Sequence, residues 1–414
     1  MPKTRLAYPR LSLMMMLQFA VWGSWAVLIA GHLDYLNFTE FQIALVFGTT
    51  AFGSLLSPLI AGWIADRFAS AQKFAAISHF LGAGALVVAH RQTEFGPLWT
   101  AILIHAVLYM PTIALTNAVA FRHMGESEKF GNIRVWGTIG WIAINWAIGL
   151  YLAYWEGKGL KGEKVGDALL FGAAVGVLMG VYCLTLPKTP PSKEAKNPYA
   201  FLEAFSLTRN RNFAALLAIS FLVAIELPFY YNLTFLFFTD AAAGIGLPDS
   251  AATFAMSIGQ VAEILVMLLL FPSIRRLGMK TTILLGILAW PVRYSIFALG
   301  EPTWLVIGSQ ALHGVCYAFF FAGGMVAVER LSSSDIRASA QGLIVFATNG
   351  LGMLVGHFLS GWIHKHYALP EGGHQWASIY MVPIALTVVA AGAFFLLFNE
   401  SAYRRDTERI AEAD

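Results

Sequence analysis

Gln260 and Glu263 stand three residues apart in the run Ser257-Ile-Gly-Gln260-Val-Ala-Glu263-Ile-Leu-Val-Met267. That spacing puts both side chains on one helical face. Met256 and Met267 extend the same face at four- and seven-residue spacings. The surrounding apolar run, 254–271, is long enough to cross most of a bilayer as a helix. A carboxylate at mid-membrane depth costs several kcal/mol unless it is partnered, protonated or in a water-filled cavity. It is therefore either a structural group satisfied by a neighbouring helix or a functional one, and function is the reading preferred at that depth. The chemistry on offer is proton uptake and release beside an amide that both donates and accepts.

Five other apolar stretches carry polar or aromatic residues at helical spacing: Gln18, Trp22 and Trp25; His105, Tyr109, Thr112 and Thr116; Arg134, Thr138, Trp141 and Asn145; Glu226, Tyr230 and Thr234; His313 and Tyr317. In lipid such a stripe must face a cavity or another helix. Together they supply amide, hydroxyl and cationic donors beside flat aromatic faces, which suits a neutral, multi-hydroxyl solute with a planar ring. Trp22 and Trp25 fit helix packing as well as stacking. His105 and His313 are packing histidines or titrating groups. Arg134 needs an acceptor or a route to the membrane surface. Arg293 is expected to pair within the second half of the chain. Glu226 is either an arginine partner or a site residue.

The elements that must position these groups are twelve membrane spans, near 10–33, 41–65, 72–90, 97–121, 131–155 and 166–186, then 211–238, 251–274, 280–299, 302–328, 338–363 and 376–398. The 414 residues are 57% hydrophobic and 12% charged, about half the charge of a soluble domain. Mean hydropathy is +0.64. The chain is therefore expected to be an all-α integral membrane protein. Its longest polar interruption, 187–210, is rich in Pro and Lys and separates a six-helix bundle, 1–186, from a second, 211–414, with a short tail. Two similar halves are a transporter plan. Of 27 Lys and Arg, only Arg91, Lys158, Lys161, Lys164 and Lys365 fall in odd-numbered loops, so both termini are expected in the cytoplasm. Cys183 and Cys316 lie in apolar spans and are no disulfide framework.

Other chemistry finds no support. No phosphate-cradling loop, nucleophile elbow or metal-ligand helix motif is present, so no cofactor, metal or nucleic-acid partner is expected. His364, His366 and His374 are read as an outer loop. Asn37-Phe-Thr39 is a glycosylation sequon, meaningful only in a secretory setting. Gly350, Gly352, Gly356 and Gly361 permit close helix contact and mark no site. An intramembrane enzyme lacks a nucleophile or metal, and a receptor or scaffold does not need a buried carboxylate in a polar cavity. A transporter by alternating access remains, working as a monomer in the cell membrane, the inner one if the source is bacterial.

Gly62-Trp-Ile-Ala-Asp66-Arg67 after span 2, echoed by Arg275-Arg276-Leu-Gly278-Met-Lys280 after span 8, resembles the loop signature of the major facilitator superfamily. Five blocks narrow the resemblance: Leu17-Gln-Phe-Ala-Val-Trp-Gly-Ser-Trp25, Tyr109-Met-Pro-Thr112, Ile133-Arg-Val-Trp-Gly-Thr-Ile-Gly140, Met256-Ser-Ile-Gly-Gln-Val-Ala-Glu263 and Ile336-Arg-Ala-Ser-Ala-Gln-Gly342. In order along the chain, they look like the bacterial nucleoside:proton symporters. The resemblance implies nucleoside import by proton symport, with Arg134, Thr138, Trp141, Gln260, Glu263 and Tyr317 binding solute. Gln18, Trp22 and Tyr230 join them as candidates. Glu263 is the expected proton carrier, with His105 and His313 as fallback. Three departures stand out: Pro228 and Tyr231 replace the family's polar pair in span 7, Ala318 its acidic residue in span 10, and His105 its Asn in span 4. A facilitator, or a symporter of another small polar solute such as a sugar, is the alternative.

Overall fold

The computed structural model describes residues 7–67, 70–124, 130–160, 162–187, 204–333 and 336–413. The central stretch 188–203, Lys161 and the side chains of the 62–67 signature lie outside the described residues. Among the described residues the regular structure is helical, apart from one isolated bridge, Ala368 to His374.

The first span is two helices, α1 (Ala7–Trp25) and α2 (Ile29–Tyr35), rather than one. There follow α3 (Glu40–Arg67), α4 (Ala71–His90), α5 (Phe95–Met124), α6 (Phe130–Glu156) and α7 (Ala168–Thr185). The second half runs α8 (Arg211–Thr239), α9 (Asp249–Leu277), α10 (Met279–Leu299), α11 (Thr303–Arg330), α12 (Ser339–His366), α13 (Trp376–Leu397) and α14 (Glu400–Ala413). Eleven of these stretches are long and apolar enough to cross a membrane among the described residues, and α3 is a continuous helix of 28 residues. The polar end of the chain, expected as a tail, is the helix α14.

The chain forms two compact units: Met1–Pro198 with Leu247–Phe254, and Tyr199–Gly246 with Ala255–Asp414. In unit 1, α1 and α6 lie backbone against backbone. A Cβ on Gly140 would overlap the Met16 carbonyl, and one on Gly23 would sit 2.8 Å from the Trp141 ring. Small residues at a membrane helix interface allow this approach. The start of α9 belongs to unit 1 because the Glu156 carboxylate accepts the Ser250 N–H at 3.0 Å, and Asp249 accepts the Gly162 N–H at 2.9 Å.

In unit 2, α8 begins at an Asn210 cap whose side chain accepts the N–H of Asn212 and Phe213 at 2.9 and 3.1 Å. Pro228 lies inside α8, and Pro291 inside α10. Two spans depart from plain α-helix: Cys316–Ala322 and Phe346–Gly352 are π-helical. His364 and His366 are the last turn of α12 and not a loop. His364 stacks on His374 with centroids 3.8 Å apart.

Candidate functional site

In unit 1 the buried polar groups converge on Gln18. Its amide nitrogen donates to the Thr112 hydroxyl at 2.8 Å, and its amide oxygen is 2.9 Å from Nε2 of His79. The Tyr109 hydroxyl donates to the Gln18 carbonyl at 2.6 Å. One side chain thus ties α1 to α4 and α5. Sequence reasoning missed His79, which shows no stripe of its own in span 3.

Around this knot stand the aromatic rings. His105 stacks on Tyr109 at 5.5 Å, and its Nδ1 lies 3.1 Å from the Gly82 carbonyl. A carbonyl only accepts, so Nδ1 carries the proton and Nε2 is the basic nitrogen. Trp22 meets Trp141 edge to face at 5.6 Å. Asn145, expected on the same stripe, donates to the backbone of Gly23 and Trp141 at 3.1 and 2.8 Å and so serves packing.

Arg134, Thr138, Trp141 and Trp22 are half-buried, unlike Gln18. The Arg134 guanidinium lies over the Phe19 ring, 3.9 Å from its centroid. Its charge also acts on Tyr109. The acceptor expected for this intramembrane cation is thus an aromatic face. Unit 1 therefore presents a cation, a hydroxyl and two indole rings along successive turns of α6 and α1.

In unit 2 the corresponding groups surround Tyr230 and Tyr231. Gln260 is buried and lies against Tyr230, while the half-buried Glu263 is close enough to act electrostatically on both tyrosines. Tyr317, in the π-helical turn of α11, acts on Tyr231 as well. π-Turns inside helices recur at functional sites because they re-aim side chains.

Behind this face lies a second, wholly buried layer. Arg293 donates to Nδ1 of His313 at 3.1 Å and lies 4.6 Å over the Tyr230 ring. His313 stacks on that same ring at 4.8 Å. Glu226 accepts a 2.6 Å hydrogen bond from Tyr294 and lies within the electrostatic reach of Arg293. Arg293 thus pairs inside its own half, as its position suggested. Tyr294 and the Asn232–His357 contact at 3.1 Å were not singled out from sequence, although both sit on apolar helices and were findable as intramembrane polar groups. No cluster of three or more metal-ligating side chains occurs among the described residues.

The sequence profile of the nucleoside H+ symporters matches residues 6–403. The chain belongs to the nucleoside H+ symporter family. The symporter is 34% identical over 406 residues to a putative nucleoside transporter, YegT, of Escherichia coli K12, covering 95% of this chain and 94% of that one. It is 32% identical over 423 residues to the xanthosine permease of the same strain, covering 97% of each. The crystal structure of the nucleoside transporter NupG superposes with a TM-score of 0.81 at 30% identity, covering 95% of this chain and 99% of that one. A D-xylose–proton symporter shares the fold, with a TM-score of 0.72 at 13% identity. The symporter is thus a multi-pass membrane transporter of the major facilitator fold, not an enzyme, and couples nucleoside import to protons.

Proposed function

We propose that Arg134, Thr138 and Trp141 of unit 1 and Gln260, Glu263 and Tyr317 of unit 2 contact the nucleoside. The observation that carries the reading is a division by burial. In each unit these side chains, Gln260 apart, are half-buried, while the groups behind them are sealed and engaged. Gln260 and Glu263 supply acceptors and a donor for ribose hydroxyls and base edges. Trp141, braced by Trp22, supplies a flat face for the base. Gln18 and Tyr230 act from the second layer, Gln18 by fixing α1 against α5 and Tyr230 by carrying Gln260.

Glu263 is the proton carrier in this reading. A proton bound to its carboxylate on the outer side neutralises the intramembrane charge, crosses with the solute and is released inside. His105 and His313 remain the alternative carriers. His105 offers Nε2, since its Nδ1 donates to Gly82, whereas His313, whose Nδ1 accepts from Arg293, takes up a proton only by giving up that contact. Both termini lie in the cytoplasm, as the distribution of Lys and Arg supports, and the chain works as a monomer.

Binding of radiolabelled nucleosides to purified protein tests the contact set. Alanine at Gln260 is expected to weaken affinity by about 1–3 kcal/mol, the cost of leaving buried partners unpaired. Unchanged affinity in all six alanine variants would remove these residues from the site.

A further inference from the structure

A groove of about 440 Å³ opens in unit 2 where the ends of α9 and α11 meet α14. Arg275, Arg330 and Arg404 line it, with one carboxylate, Glu400. That carboxylate is already committed. It accepts the N–H of Met279 at 3.3 Å and of Lys280 at 2.8 Å, capping α10, and the Nε–H of Arg404 at 3.1 Å. Arg275 and Arg330 have no ion-pair partner among the described residues.

Exposed arginines are commonly just solvated, but two features set this place apart. Tyr403 lines the groove and is only 3% exposed. Burial outweighs the nearby Arg330 and pushes its hydroxyl up to about 12, so it stays a neutral donor at physiological pH. The groove also ends an apolar track on a membrane-crossing helix. Leu265, Leu268 and Phe271 follow one another at three-residue spacing on α9 and are 61%, 73% and 54% exposed. Along a span, such side chains face acyl chains. The groove therefore sits where a lipid headgroup begins.

We propose that this groove binds the headgroup of an anionic phospholipid. The phosphodiester oxygens are taken by the guanidinium forks of Arg275 and Arg330, and the acyl chains lie along Leu265, Leu268 and Phe271. Guanidinium groups suit phosphate because two parallel N–H bonds match its geometry. Basic pockets at the ends of membrane helices take anionic headgroups in this way. A free phosphate ion shares the head chemistry but leaves the apolar track unused.

Lipid retained on the purified full-length protein, read by native mass spectrometry after exposure to phosphatidylglycerol or phosphatidylcholine, tests the proposal. The wild type is expected to keep phosphatidylglycerol in preference by about tenfold, and Arg275→Gln/Arg330→Gln to lose that preference. Arg405→Gln/Arg409→Gln removes the same charge from exposed positions of α14 outside the groove and is expected to keep it. Millimolar inorganic phosphate should not displace the lipid. Retention unchanged in the groove variant, or lost equally in both variants, overturns the site. Displacement by inorganic phosphate overturns the lipid in favour of a soluble anion. Nucleoside binding by each variant reports folding. If the paired variant fails to fold, the single variants are read instead, and unchanged retention in both overturns the site equally.

Discussion

Arg293 and His313 meet across 3.1 Å, from α10 to α11, with the guanidinium donating to the imidazole Nδ1. Neither residue is exposed beyond 3%. This contact makes His313 an acceptor at Nδ1 and places the Arg293 charge between two helices, within reach of Glu226.

Removing the cation alone is therefore expensive. Arg293→Met strips the donor from Nδ1 of His313 and the cation facing Glu226 from a sealed layer, an expected loss of about 1–3 kcal/mol. Arg293→Met/Glu226→Leu leaves no charge behind and is expected to lose less than the sum of the single variants. Unfolding midpoints in detergent for the three variants check this. Strict additivity would show that the two groups do not interact.

Gly278 joins α9 to α10 with φ +83°, and a Cβ there would lie 2.8 Å from Oε1 of Glu400. Gly278→Ala is expected to cost about 1–3 kcal/mol, since the backbone well favours glycine and the capping carboxylate must move. Thermal unfolding measures it. Gly324→Ala, where a Cβ meets nothing within 4 Å, is the control.

Gln18→Leu removes the partner of both Thr112 and His79. His79 is left unpaired, while the Thr112 hydroxyl keeps its bond to the Tyr109 carbonyl, so the expected loss is about 1–3 kcal/mol of stability. Because the side chain is sealed in the second layer, the unfolding midpoint should fall further than nucleoside affinity does. Loss of affinity with an unchanged midpoint would make Gln18 a direct contact instead.

Why the spans were legible and their finer joints were not follows from what each costs. A helix crossing lipid needs an apolar run, so α8 and α9 announce themselves by length and composition. The π-turn holding Tyr317 adds one residue to a turn and leaves no compositional mark. The polar stripes could be read because a polar group in a span needs a reason to be there. Which stripe residue faces solute and which is sealed depends on helix rotation, and so Gln18 and Trp22 looked alike in the sequence. His79 and Tyr294 belong to contacts 61 and 68 residues long, which no local spacing reveals. The α14 helix escaped for the opposite reason, its charged pattern reading as a solvated tail.

In the proposed mechanism Glu263 couples nucleoside entry to protons. Uptake of a radiolabelled nucleoside into proteoliposomes, with and without an inward pH gradient, tests it most directly. Wild type is expected to accumulate the nucleoside only with the gradient. Glu263→Gln keeps the shape and part of the hydrogen bonding but cannot titrate, so it should exchange nucleoside across the membrane yet lose gradient-driven accumulation. Full gradient-driven accumulation by Glu263→Gln would contradict the account and move the proton to His105 or His313.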